Sequence, residues 1–127
     1  MSATDPPSGP HALLVEDDFL IRLSLAESLT DHGIRVTEAG TATEALAALA
    51  ANPGIAVLLT DIQLSDGPDG LELARAARES RPDLPVIFMT GRPDPVAEAR
   101  ASAIDVFITK PYLPSNVAAV VRRLVGG

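Results

Sequence analysis

The strongest constraint on this chain is an alternation. Five short apolar runs, at 11–15, 34–39, 55–61, 86–89 and 104–109, are separated by turn residues or by stretches with helical spacing. The most apolar of them, Ile55-Ala56-Val57-Leu58-Leu59, follows Asn52-Pro53-Gly54 and runs into the polar pair Thr60-Asp61. An uninterrupted apolar run of strand length between turn residues reads as a strand buried on both faces. The run at 34–39, Ile-Arg-Val-Thr-Glu-Ala, alternates instead and reads as a more exposed edge strand.

The intervening stretches carry helix signals. From Phe19 to Thr30 the stripe is Ile21, Leu25 and Leu29, widened by Leu20 and Leu23, with Asp18 placed to cap the helix and His32-Gly33 to end it. Thr41-Ala42-Thr43-Glu44 has the capping-box pattern and opens an alanine-rich helix carrying Leu46 and Leu49. Asp69-Gly70-Leu71-Glu72 opens a third helix to about Ser80, followed by the connector Arg81–Pro85. Pro93 and Pro95 leave room for only a short helix ending near Ser102. Leu113, Val117, Val120, Val121 and Leu124 form the stripe of a last helix, which fades at Gly126-Gly127. Five strands alternating with five helices predict an α/β fold of right-handed βαβ units. This is a doubly wound (βα)5 arrangement with a five-stranded parallel sheet in the flavodoxin-like order 2-1-3-4-5.

Length and composition narrow the function. The 127 residues suit one domain, with 46% apolar residues but only 3% aromatic, so Ala, Leu and Val must fill the core. Residues 1–10 read as a disordered leader without signal-peptide features, and 11–127 as one domain with no output domain after it. No run approaches a membrane span, so a cytoplasmic protein with no membrane contact is expected. A formal charge of −7 argues against direct nucleic-acid binding. There is no cysteine for disulfide or thiol chemistry, and Lys110 is the only lysine beside nine arginines.

Parallel strands place their carboxyl ends along one edge of the sheet, where open α/β sheets bind ligands. That edge would collect Glu16-Asp17-Asp18, Asp61, Thr90 and Lys110. Carboxylates crowded together repel, by roughly 4 kcal/mol per close pair at an effective dielectric near 20, unless a cation compensates. An all-oxygen cluster without His or Cys suits Mg²⁺. A hydroxyl and an ammonium facing the acids are what a transferred phosphoryl group needs on its remaining oxygens.

At these residues the chain closely resembles the receiver domain of two-component response regulators. The match covers about residues 11–125 and rests on Leu-Leu-Val-Glu-Asp-Asp at 13–18, Leu-Leu-Thr-Asp at 58–61, Asp-Gly at 69–70, Val-Ile-Phe-Met-Thr-Gly at 86–91 and Phe-Ile-Thr-Lys-Pro-Tyr at 107–112. The resemblance implies that Asp61 is the phosphoacceptor, taking its phosphoryl group from a phosphohistidine on a sensor histidine kinase or a histidine phosphotransfer protein. It implies Mg²⁺, or Mn²⁺ in its place, held by Asp17, Asp61 and the backbone carbonyl of Gln63, with Glu16 acting through water. Lys110 would pair with the phosphoryl group, Thr90 would be the switch hydroxyl, and Phe107 the aromatic whose rotamer follows it. The Lys110-Pro111 bond is expected to be cis, and Asp18 to cap a helix rather than bind metal. Output would pass to a downstream protein partner, or the domain would serve as a phosphate sink. Homodimer formation through the face built from the fourth and fifth helices and the fifth strand is a weaker implication, because the fourth-helix region is short.

Three departures from the family pattern stand out. The loop Leu64–Gly70 is one residue longer than the common form and lacks its Met-Pro pair. Gly91 replaces the usual Ala after Thr90, and the stretch from Thr90 to Lys110 is about two residues short, with Ser102 where Gly is common. Two other readings stay open. One is a Mg²⁺-dependent phosphohydrolase with an aspartyl-phosphate intermediate, which would want an acid where Gln63 stands. The other is a degenerate receiver acting as an interaction scaffold. The leading reading is not a turnover enzyme.

Overall fold

A computed structural model of the chain describes residues 9–64, 67–91, 97–98 and 104–125. Five parallel strands, β1 (His11–Val15), β2 (Arg35–Ala39), β3 (Val57–Asp61), β4 (Val86–Thr90) and β5 (Asp105–Thr109), form one sheet in the order β2-β1-β3-β4-β5. Among the described residues there are four long helices: α1 (Phe19–Asp31), α2 (Ala42–Ala51), α3 (Gly70–Ser80) and α4 (Pro114–Val125). The short helix expected after Gly91 falls outside the described residues except at Ala97 and Glu98, which are helical. Residues 1–8, most of the expected leader, lie outside them too, as do Ser65, Asp66, Ser102, Gly126 and Gly127.

The period of two along each strand sorts the core into two layers. Leu13, Val15, Leu58, Val86 and Phe88 face Leu49, Leu73 and Ala77 of α2 and α3. Ala12, Leu14, Val57, Leu59 and Ile87 face Leu25 and Leu29 of α1 and Val117 and Val121 of α4. β3 is buried along its whole length, as its apolar run predicts, whereas β2 shows the exposure expected of an edge. Each fully buried Leu or Val contributes roughly 1.5–3 kcal/mol, so the central strands are the most firmly held part of the fold.

The helix starts follow the sequence closely. Asp18 caps α1 by accepting from the Ile21 amide at 3.0 Å. Asp69 and Glu72 form a complete capping box on α3. The box expected at Thr41 is only half made. Its hydroxyl accepts from the Glu44 amide at 3.1 Å, but the Glu44 carboxylate reaches one residue further back, to the Gly40 amide. Two stripes also need correction. Leu20 and Ile21 are 73% and 46% exposed, and α1 instead buries Leu25, Ala26 and Leu29. Leu113 is 63% exposed and precedes α4 rather than joining its buried face. Phe19, Leu20 and Ile21 are consecutive, so one helix face cannot bury all three.

Candidate functional site

Strand register builds the site. Val15 pairs with Thr60, so Glu16 and Asp61, each one step on, emerge side by side. Asp61 pairs with Met89 and Thr90 with Thr109, which brings Thr90 and Lys110 to the same edge. The ladder continues past the strands: the Ile62 amide donates to the Met89 carbonyl at 3.2 Å and the Lys110 amide to the Thr90 carbonyl at 2.7 Å. Glu16, Asp17, Asp61, Gln63, Met89, Thr90, Gly91 and Lys110 line one open cleft of about 600 Å³. The structure thus brings together all the expected site residues except Phe107. That ring is half-buried and stacks on Phe88, centroids 5.1 Å apart, on the α2–α3 side of the sheet.

The electrostatics turn on three acids and one ammonium. Carboxylate oxygens of Glu16, Asp17 and Asp61 lie within 4.8 Å of one another. Lys110 Nζ lies 2.7 Å from Asp61 Oδ1 and 3.9 Å from Glu16 Oε2. Burial, then the hydrogen bond to and charge of Asp61, push the Glu16 carboxyl up to about 8, although the Asp18 amide it accepts from pulls the other way. Burial by itself would lower Lys110, but the carboxylates of Asp61 and Glu16 outweigh it and hold the ammonium above its ordinary value. An all-oxygen set of three converging acids fits a hard divalent cation, which would take the place of the proton on Glu16. The Lys110-Pro111 bond is cis, as expected.

Several supporting residues have no obvious signature in the sequence. A Cβ on Gly70 would lie 2.0 Å from the Asp61 carbonyl oxygen, and the Gly70 amide donates to the Ile62 carbonyl at 2.7 Å. The start of α3 is therefore pressed against the backbone that carries Asp61, and only glycine fits there. Arg22 donates to the Glu16 carbonyl at 2.8 Å, pairs with Glu38 at 3.2 Å, and lies over the Phe19 ring. It braces the acidic turn from below; its place one turn after Asp18 was the available clue. At the far end, Arg81 donates to the carbonyls of Leu49, Asn52 and Ile55, and Arg78 to that of Leu84 while pairing with Asp105.

Comparison with known proteins agrees with this architecture. A family model described as the response regulator receiver domain matches residues 12–122. The chain is 35% identical over 119 residues to the C4-dicarboxylate transport transcriptional regulatory protein DctD of Rhizobium meliloti, a match covering 91% of this chain and 25% of that protein. It is 37% identical over 121 residues to the transcriptional regulatory protein AfsQ1 of Streptomyces coelicolor, covering 90% of this chain and 52% of the relative. The chain thus spans about a quarter to a half of the length of these curated relatives. Among solved structures, a CheY-like response regulator receiver domain protein from Methanospirillum hungatei superposes with a TM-score of 0.80 at 31% identity, covering 94% of this chain and 95% of that one. A response regulator receiver protein from Sinorhizobium medicae gives 0.84 at 26% identity, covering 94% and 97%. With the sheet order, the acidic cleft and a family match over nearly its whole length in agreement, the chain belongs to the receiver domains of two-component response regulators.

Proposed function

We propose that this domain accepts a phosphoryl group onto Asp61 from a phosphohistidine and passes the resulting change to a partner protein. The observation that carries this reading is the pairing of Asp61 with Lys110 at 2.7 Å inside a cluster of three carboxylates at the sheet's open edge. An Asp61 oxygen attacks phosphorus, an O–P bond forms as the N–P bond breaks, and the imidazole leaves with its electron pair, to be protonated. The product is an acyl phosphate. Lys110, already held as an ammonium, pairs with the phosphoryl oxygens once Asp61 is esterified, and the Thr90 hydroxyl donates to another. Glu16, Asp17, Asp61 and the Gln63 backbone carbonyl would hold Mg²⁺, or Mn²⁺ in its place. When bound, that ion supplies positive charge to the transferring group.

The surroundings support a macromolecular donor. Phe19, Leu20 and Leu113 are 59%, 73% and 63% exposed, and Leu20, Ile21, Tyr112 and Pro114 line a shared hollow between α1 and the turn after Lys110. An apolar rim of this kind is suited to cover by a sensor kinase or a phosphotransfer protein. The residue two places after Asp61 is Gln63, which has no acid to activate water, so acceptance of a phosphoryl group is favoured over hydrolytic turnover. In the same reading the protein is a cytoplasmic signalling switch rather than an enzyme. Among the described residues no helix is long and apolar enough to cross a membrane.

The test is incubation with acetyl phosphate and Mg²⁺ followed by intact-mass measurement. One phosphoryl adduct is expected, lost in Asp61→Asn and on chelation of the metal. No adduct on the native chain, or an undiminished one in the variant, would refute the proposal. Rapid turnover of unrelated phosphomonoesters would favour the hydrolase.

A further inference from the structure

The peptide that joins Glu16 to Asp17 is held by groups that do not line the acidic cleft. Arg22, in the first turn of α1, donates from Nη1 to the Glu16 carbonyl at 2.8 Å. The Glu16 amide donates to the Ala39 carbonyl at the end of β2 at 3.1 Å, so both backbone polar groups of Glu16 are engaged. The Asp18 amide closes the other side of the turn by donating to Glu16 Oε1 at 3.1 Å. A peptide unit is planar, so fixing its carbonyl also fixes the direction in which the chain enters Asp17.

Three contacts on different parts of the guanidinium keep it there. Nη1 serves the Glu16 carbonyl, Nε pairs with Glu38 on the edge strand β2 at 3.2 Å, and the Phe19 ring centroid lies 5.4 Å from Cζ. The turn after β2 leaves it room: a Cβ on Gly40 would come within 3.1 Å of Nη1. Only 17% of the Arg22 side chain is exposed. A planar fork that is hydrogen-bonded along its edge and covered by an aromatic ring cannot be copied by the single ammonium of a lysine.

Carboxylate oxygens of Glu16, Asp17 and Asp61 lie within 4.8 Å of one another, an arrangement in which like charges repel. Rotation of the Glu16–Asp17 peptide would relieve part of that repulsion by turning Asp17 away. We propose that Arg22 is a positioning residue for the cation site: it holds that peptide so that the three acids stay gathered, and it thereby sets the affinity for the divalent ion. The proposal rests on the reading of this cleft as a cation-dependent phosphoryl site. Arg22 brings positive charge near a bound cation, so by Coulomb's law alone its removal would tighten binding. Positioning has the opposite sign, because partners that orient metal ligands are commonly worth about 10–100-fold in affinity.

The test is a Mg²⁺ titration of the whole protein, without phosphodonor, followed by the amide shifts of Asp17, Asp18 and Ile62. Each variant is measured where its urea-unfolding curve shows it folded. Saturable binding is expected for the native chain. Arg22→Ala should weaken it by about tenfold or more, although a positive charge is removed. Arg22→Lys keeps the charge and the stem but not the fork, and should weaken binding by a smaller factor of about three. That variant remains informative if the alanine change disturbs folding. Arg81→Ala removes the same charge and three carbonyl contacts from the far end of the sheet. It should lower stability yet leave Mg²⁺ binding within about twofold. Unchanged or tighter binding in Arg22→Ala, native affinity in Arg22→Lys, or an equal loss in Arg81→Ala would overturn the proposal and leave the cation site standing. Absence of saturable binding to the native chain would instead refute the cation site itself, and this proposal with it.

Discussion

The carboxylate half of the cleft stands on β1 and β3, where the residues from Ala12 to Val15 and from Val57 to Asp61 are all buried. The Lys110 half stands on β5, where none of the five residues is buried. The acids are also braced from behind, by Arg22 on the Glu16 carbonyl and by the start of α3 against the Asp61 backbone. β5 is pinned at its first residue, where Asp105 pairs with Arg78, and its later residues carry Phe107 and lead to Lys110. Groups that must meet a reacting atom gain from a rigid support, whereas an element that changes position must be drawn from the less firmly held part of a fold. One cleft therefore joins a fixed chemical half to a half able to respond.

The largest expected effect comes from disturbing the brace of the fixed half. Gly70→Val sets a branched side chain where even a Cβ would lie 2.0 Å from the Asp61 carbonyl. It should cost about 4 kcal/mol or more, visible as loss of most of the urea-unfolding midpoint. A loss below about 1 kcal/mol would mean that the backbone under Asp61 yields easily and is not fixed.

A smaller effect separates the two halves directly. Leu59 is fully buried in β3, and Ile108 is half-buried in β5. Leu59→Ala should destabilise by roughly 2–5 kcal/mol and Ile108→Ala by about half as much, read from the same unfolding curves. Equal losses would erase the proposed contrast.

A third contrast is a pH dependence. The Glu16 carboxyl ordinarily titrates near 4.5 and is raised to about 8 in the fold. The folded chain thus holds a proton that the unfolded chain has released. The contribution is complete below about 4.5 and is lost as pH rises through 8. Metal-free protein should therefore lose thermal stability between pH 5 and 8 in Glu16-dependent fashion, a slope that Glu16→Gln removes. Added Mg²⁺ should recover the loss at the alkaline end by replacing the proton. A slope unchanged by the substitution would assign it to other groups.

The sequence disclosed the chemical half of the site better than its supports. Asp61, the Glu16-Asp17 pair, Thr90 and Lys110 follow apolar runs, and parallel topology alone collects strand ends at one edge. The strands and most helix starts were legible because caps and apolar runs act locally, whereas the strand order followed from the common doubly wound arrangement. Gly70 was visible only as part of a helix start, since its steric conflict is with a carbonyl nine residues away. Arg81 looked like a connector residue because the carbonyls it reaches lie 26 to 32 residues back along the chain. In α1, the run Phe19-Leu20-Ile21 is apolar on every side, so spacing could not choose the buried face, and the structure leaves all three exposed.

The most direct measurement is amide hydrogen exchange on native protein before and after phosphorylation by acetyl phosphate. The account predicts that exchange changes at the Thr90–Lys110 junction and along β5, while the amides of β1 and β3 keep their protection. Uniform change across all five strands, or change confined to β1 and β3, would contradict it.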